Sequence, residues 1–215
     1  MARNQLARSH IIVGIPLALF LNGLAGISLD FSRALYLEGY GTFIFCCCYW
    51  VLWEEYSNFP EVHERKSPMV DTLLLVASAE GLINVVRAGA DLTKVFWGLD
   101  LFLGSAVLWQ FYTMMTNNYF DTDIGGWISW IRPANPLSLF RTPVERLHRD
   151  EYRYWLLGDG AQVATITAVL LLYPSFLRTR TAFNIIVIGG SLGQVYNVWR
   201  YVVVRQRCKM SSPIV

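Results

Sequence analysis

Charge is scarce in this sequence. Asp, Glu, Lys and Arg make up 16% of its 215 residues, where a soluble domain carries about a quarter. The deficit is uneven: apolar stretches long enough to cross roughly 30 Å of hydrocarbon recur, and the charges collect between them. A soluble globular domain is therefore excluded. No basic run interleaved with aromatics is present and the net charge is only +2, so nucleic acid is not an expected partner. Histidine is limited to His10, His63 and His148, all at or beyond segment ends, and metal binding is not expected from them. Three of the four cysteines are consecutive, Cys46 to Cys48. Adjacent side chains diverge around a helix and do not bridge easily, so these read as small buried hydrophobes. No small-residue cleavage site follows the first apolar stretch, which argues against a removable signal peptide. No internal repeat and no Asp-rich diphosphate motif is visible.

What is abundant is apolar: 54% of the residues are hydrophobic and 14% aromatic. Six segments emerge, at 11–29, 40–58, 70–88, 95–115, 155–174 and 183–204. The expectation is an all-α fold, a polytopic transmembrane bundle of about six helices forming a single domain over 1–215. Pro60 and Pro68 bracket the second loop, Pro174 closes the fifth segment, and Pro133, Pro136 and Pro143 fall in the long stretch 116–154. Within that stretch, 125–131 is apolar but too short to span, and reads as an interfacial piece with Trp127 and Trp130 at headgroup level. Arg141 to Arg153 alternates basic and acidic residues, as a solvated face does. Gly189-Gly190-Ser191 and Gly193 are expected to face a neighbouring helix.

With six crossings, one side of the membrane holds twelve Lys and Arg, among them Arg65, Lys66 and five in 132–153, and the other holds four. This bias places both termini in the cytosol.

Ionisable groups within apolar segments are functional candidates, because each costs at least a few kcal/mol in hydrocarbon. They are Glu54, Glu55, Glu80, Arg87, Asp100, Asp159 and Arg200. By depth, Glu54, Glu55, Asp159 and Arg200 share one layer near the cytosolic side. Glu80 lies mid-membrane, with Asn84 and Arg87 following on the same face, and Asp100 opens the fourth segment on the far side. Five acids against two arginines leave three without a basic partner, and a carboxyl in that position keeps its proton. The structural alternative is that Glu80 with Arg87, and Asp159 with Arg200, pair to hold helices together. Trp50, Trp53, Tyr196 and other aromatics accompany the acids, offering faces that stabilise cations or simply interfacial belts.

Tyr40-Gly41, Cys47-Cys48 and Trp53-Glu54, followed by Pro60, Glu64-Arg65 and an apolar third segment with an Asn, resemble the small fungal integral-membrane terpene cyclases of meroterpenoid and indole-diterpene pathways. The tail Trp199-Arg200-Tyr201 through Arg205-Gln206 is similar to the end of that family's last helix. The likeness covers about the first 100 residues and the last 25. It implies seven helices, residence in the endoplasmic reticulum, no metal or other cofactor, and a hydrophobic prenylated substrate. It also implies that Glu54, with an aspartate of the last helix, protonates a terminal epoxide or olefin. Here the last segment carries no acid, and Asp159 is expected to substitute. Trp50, Trp53 and Tyr196 would then line the path of the cation, and Glu80 and Arg200 would tune the acids.

Two other functions compete with the cyclase. One is an accessory subunit of a larger membrane complex, of unknown protein partners. The other is a proton-coupled carrier using Glu80, against which the lack of repeats and of paired broken helices weighs.

Overall fold

The computed structural model describes residues 14–18, 33–89, 91–117 and 143–211, which are helical apart from short turns, with no strand among them. A short helix α1 covers 14–18. Then come α2 (Arg33–Asn58), α3 (Pro60–Glu64), α4 (Pro68–Arg87), α5 (Leu92–Thr116) and α6 (Pro143–Leu172). A 3₁₀ turn (Pro174–Arg178), α7 (Arg180–Asn184) and one π-helical stretch (Ile185–Gly189) lead into α8 (Gly190–Ser211). Prolines open α3, α4 and the 3₁₀ turn, where the missing N–H leaves no intrahelical bond unmade.

Among the described residues three stretches, Pro68–Arg87, Leu92–Thr116 and Arg149–Leu172, are long and apolar enough to cross a bilayer. They correspond to the expected segments 70–88, 95–115 and 155–174. Of the expected segment 11–29 only 14–18 is described, and the interfacial piece 125–131 lies outside the described residues.

Two boundaries move. The second segment begins at Arg33 rather than 40, and α6 begins at Pro143, twelve residues before the expected 155. The second shift corrects the solvated face: Arg149, Glu151 and Tyr152 are buried. Arg149, Tyr152 and Leu156 follow one another at three and four residues, the spacing of one helix face, and all three are buried. The alternation of charge leading up to Arg153 therefore hides a buried helix face that starts at Arg149.

The five long helices close into a ring. α4 packs on α5, α5 on α6, α6 on α8, α8 on α2, and α2 back on α4. The backbones of α4 and α5 approach closely at facing glycines. A Cβ on Gly81 would lie 2.5 Å from the Phe102 nitrogen, and one on Gly98 would lie 2.8 Å from the Gly81 carbonyl oxygen. Only glycine allows backbones that close. The turn joining this pair passes through Gly89, in the left-handed region with φ 59°. Asp91 then caps α5, its carboxylate accepting from the Thr93 and Lys94 amides at 3.0 and 3.4 Å. On the opposite side of the ring, Gly190 lies against the Tyr40 ring of α2. Gly189 and Gly193 differ from expectation, since a Cβ on either would meet nothing within 4 Å.

Candidate functional site

The ring lines a partly open cavity of about 820 Å³, to which all five long helices contribute, together with the 3₁₀ turn and the π-helical stretch. Its walls are mainly apolar, from Ile44 and Val51 on α2 through Leu99 and Leu103 on α5 to Ile166 and Val169 on α6. Among the described residues the lining holds no Lys, Arg, His or Glu, and Asp159 is its one carboxyl group. The Gln110 side-chain amide, reaching across from α5, donates to Asp159 Oδ2. Gln110 itself is 5% exposed, and its carbonyl oxygen has no hydrogen-bond partner among the described residues. Cys48 and Gln194 add a weaker polar contact, the Gln194 amide donating to Cys48 Sγ at 3.4 Å.

Of the residues singled out in the sequence, Asp159 and Tyr196 line the cavity, whereas Glu54, Trp50, Trp53, Glu80 and Arg200 are not among its lining residues. Glu54 sits one turn before Asn58, whose amide donates to its carboxylate at 3.0 Å. Trp50 and Trp53 are partly exposed, Trp50 meeting Tyr201 edge-to-face. Glu80 and Arg87 both lie on exposed surface, and Asp100 accepts from the Thr167 hydroxyl at 3.0 Å. The expected pairing of Arg200 with Asp159 is replaced. Arg200 meets Glu151 at 3.0 Å, and its guanidinium lies over the Tyr154 ring. The reason is the earlier start of α6, which supplies an acid two turns before Asp159. Cys46, Cys47 and Cys48 are free, but Cys46 is exposed and the other two are only partly buried, so the buried-hydrophobe reading fails for Cys46.

A second polar cluster, absent from the sequence reading, forms where α2, α3, α4 and α5 meet. Lys66 and Asp71 are both fully buried, with Nζ 2.7 Å from Oδ1. Asp71 also accepts from the Trp109 indole at 2.7 Å and from the Tyr56 hydroxyl. Lys66 donates to the Tyr56 oxygen at 3.2 Å and lies 4.3 Å from the centre of the Trp109 ring. In the sequence Lys66 counts as a loop cation; in the fold it is interior. His63 stacks on Tyr56 at 3.9 Å, and Glu55 Oε2 lies 3.9 Å from its Nε2, too far for a hydrogen bond. Burial, then the nearby Lys66 ammonium, push the His63 pKa down to about 4, against the opposing pull of Glu55. Glu55, not Glu54, is the buried acid of this pair, and it accepts from the Tyr152 hydroxyl at 3.3 Å.

The two polar sites meet on α5. Trp109 turns to Asp71 and Gln110 to Asp159, consecutive residues about 100° apart around the helix. Gln110 does not stand out in the sequence because a neutral amide in an apolar run gives no charge signal. Its place inside the segment 95–115 is the one available hint. Neither protein-family models, curated proteins nor solved structures give any match to this chain.

Proposed function

We propose that this chain is a membrane-embedded terpene cyclase in which Asp159 protonates an epoxide or olefin of a prenylated substrate held in the ring cavity. The observation that carries the reading is a single carboxyl group in an otherwise uncharged cavity of about 820 Å³. That volume lies in the range of about 300–1,000 Å³ that takes a small molecule. Tyr40, Phe96, Phe102, Trp109, Trp155 and Tyr196 face it, and aromatic faces stabilise the positive charge that migrates during ring closure. In the reaction the carboxylic acid gives its proton to the epoxide oxygen. The C–O bond opens toward oxygen, an alkene attacks the resulting carbocation, and the last cation loses a proton to the carboxylate. The net change is an isomerisation. In this reading the donor role that the family resemblance gives to Glu54 passes to Asp159. The bundle is polytopic in the endoplasmic reticulum, with both termini cytosolic.

The test is to incubate microsomes containing the protein with epoxyprenylated aromatic substrates and look for isomeric, ring-closed products. Asp159→Asn keeps size and hydrogen-bonding capacity but supplies no proton, and the loss should exceed the ~10²–10⁴ of general acid help alone. Glu54→Gln should cyclise normally. An active Asp159→Asn variant, or a wild type inert toward the whole substrate class, sinks the reading. The accessory-subunit alternative has one observation in its favour: only 11% of the apolar window of Arg149–Leu172 is buried, against 44% and 50% for the other two candidate spans. Co-purification of a stoichiometric protein partner that covers α6 would favour it.

A further inference from the structure

A cavity that takes a ligand needs a way in, and the exposure of its walls shows where that way lies. None of the lining residues on α2, α4 and α5 is exposed. Every exposed lining residue stands on α6, the π-helical stretch or α8, among them Ala161, Gln162, Thr165, Gly189 and Gly193. Among the described residues, then, the cavity opens sideways, along the seam between α6 and α8. Both ends of the ring are packed instead. Toward one end Leu37, Leu92 and Leu177 are buried in one apolar cluster, and toward the other Tyr56, Val62 and Tyr152 are buried in a second. The seam is tied at its own two ends, by the Arg200–Glu151 ion pair at 3.0 Å and by the Pro174–Arg178 turn, which packs on α6. Between the ties the lips are low: a Cβ on Gly158, Gly160, Gly189 or Gly193 would meet nothing within 4 Å. The Thr165 hydroxyl and the Gln162 amide donate back to the Ala161 and Gly158 carbonyls of their own helix, at 2.8 and 3.3 Å, which lowers the cost of moving an apolar chain past them. One lip carries the π-helical stretch, a distortion found frequently at functional sites. Ala161 to Thr165 also fall near the middle of the candidate span Arg149–Leu172, a depth at which the mouth meets hydrocarbon.

We propose that the cavity exchanges its ligand directly with the bilayer, through a lateral mouth whose lips are Ala161 and Thr165 on α6 and Gly189 and Gly193 on the facing element. The ligand class is an apolar molecule dissolved in the membrane, which reaches the cavity without crossing water. Asp159 lies one turn before Gln162 on the same helix, so a chain passing the lips meets the acid at once. This rests on the reading of the cavity as a ligand site and not on the proton transfer at Asp159.

Kinetics separate a mouth from a wall. The full chain carrying Asp159→Asn is reconstituted in phosphatidylcholine vesicles with a tritiated epoxyfarnesylated phenol, which this background leaves unreacted. Association, and dissociation against excess unlabelled probe, are followed by scintillation proximity. A bulky group in a mouth raises the barrier to passage in both directions and leaves the end states alone. Gly193→Trp should therefore slow association and dissociation together by roughly five- to a hundredfold, with Kd kept within about threefold. Ala161→Trp obstructs from the opposite lip and should do the same, which provides the check if Gly193→Trp does not fold. Gly104→Trp, at a position equally open around its Cβ but outside the cavity lining, should leave both rates as they are in the background. Unchanged rates in either lip variant, or weaker binding with unchanged dissociation, overturns the mouth. If the probe does not bind the background protein, the ligand-site reading of the cavity falls and this inference with it. If the lip variants behave as expected but wild type forms no ring-closed product, only the proton chemistry falls.

Discussion

Removing one member of the Lys66–Asp71 pair should damage the fold more than removing both. Each side chain is fully buried and the charges stand 2.7 Å apart, so neither can reach water when its partner goes. Lys66→Met leaves a carboxylate with only the Tyr56 and Trp109 donors. Asp71→Asn leaves an ammonium over the Trp109 ring, with the Tyr56 and Thr113 oxygens as polar neighbours. Breaking such a pair from one side costs about 3–5 kcal/mol. At ~2–4 °C per kcal/mol for a chain of this size, each single variant should melt roughly 6–20 °C below wild type. In the double variant the amide introduced by Asp71→Asn can accept from Trp109 through its oxygen and donate to the Tyr56 oxygen through its N–H, and no charge is stranded, so its loss should fall short of the summed singles by at least ~2 kcal/mol. Thermal unfolding of purified protein, followed by tryptophan fluorescence, supplies all four corners of the cycle. If the double loss equals the sum within ~0.5 kcal/mol, the two groups do not interact as described.

Three further outcomes rest on the same geometry. Because the His63 pKa is held at about 4 in the fold and relaxes to about 6.5 on unfolding, the unfolded chain binds the extra proton between these values. Stability is therefore full above pH 6.5 and lost as pH falls to 4, by about 3 kcal/mol. His63→Phe keeps the stacking on Tyr56 and should flatten that part of the pH–stability curve, and an unchanged curve would contradict the assignment. Gly81→Ala should lower folded yield sharply, at an overpacking cost of ~1–3 kcal/mol, whereas Gly104→Ala, with nothing within 4 Å of its Cβ, should be harmless; equal yields on size-exclusion chromatography would argue against the close crossing. Asp91→Ala removes the cap of α5 and should cost about 1 kcal/mol, read as a lower melting temperature.

Much of the helical framework is legible in the sequence where punctuation is local. The expected segments 70–88 and 95–115 fall within three residues of α4 and α5, since Pro68 opens one and Asp91 caps the other. The start of α6 is obscured because the burial of Arg149 and Glu151 depends on neighbours far along the chain, and Arg200 lies 49 residues from its partner. Lys66 and Asp71 are only five residues apart, yet Pro68 between them marks a break. A cation beside a break reads as solvated until the packing of Trp109 over it is known. Asp159 can be singled out as an acid in an apolar run. That Glu54 and Asp159 do not share a cavity is a matter of which way each helix faces, and no single-helix pattern decides it.

The closure of the ring by α8 against α2 has a consequence for biogenesis. Asn58 ends α2 and Gly190 begins α8, 132 residues later. At about 5–20 residues per second, the ribosome needs roughly 7–26 s to reach the first residue of the helix that seals the ring. Once α4 is made, α2 has that neighbour on one flank and lacks α8 on the other until the interval ends, with Tyr40 and Cys48 facing an unfinished vault. The nascent protein must therefore be tended, by lipid or by an insertion factor, along the seam where α8 will arrive. Ligand would gain its full enclosure only after that last helix docks.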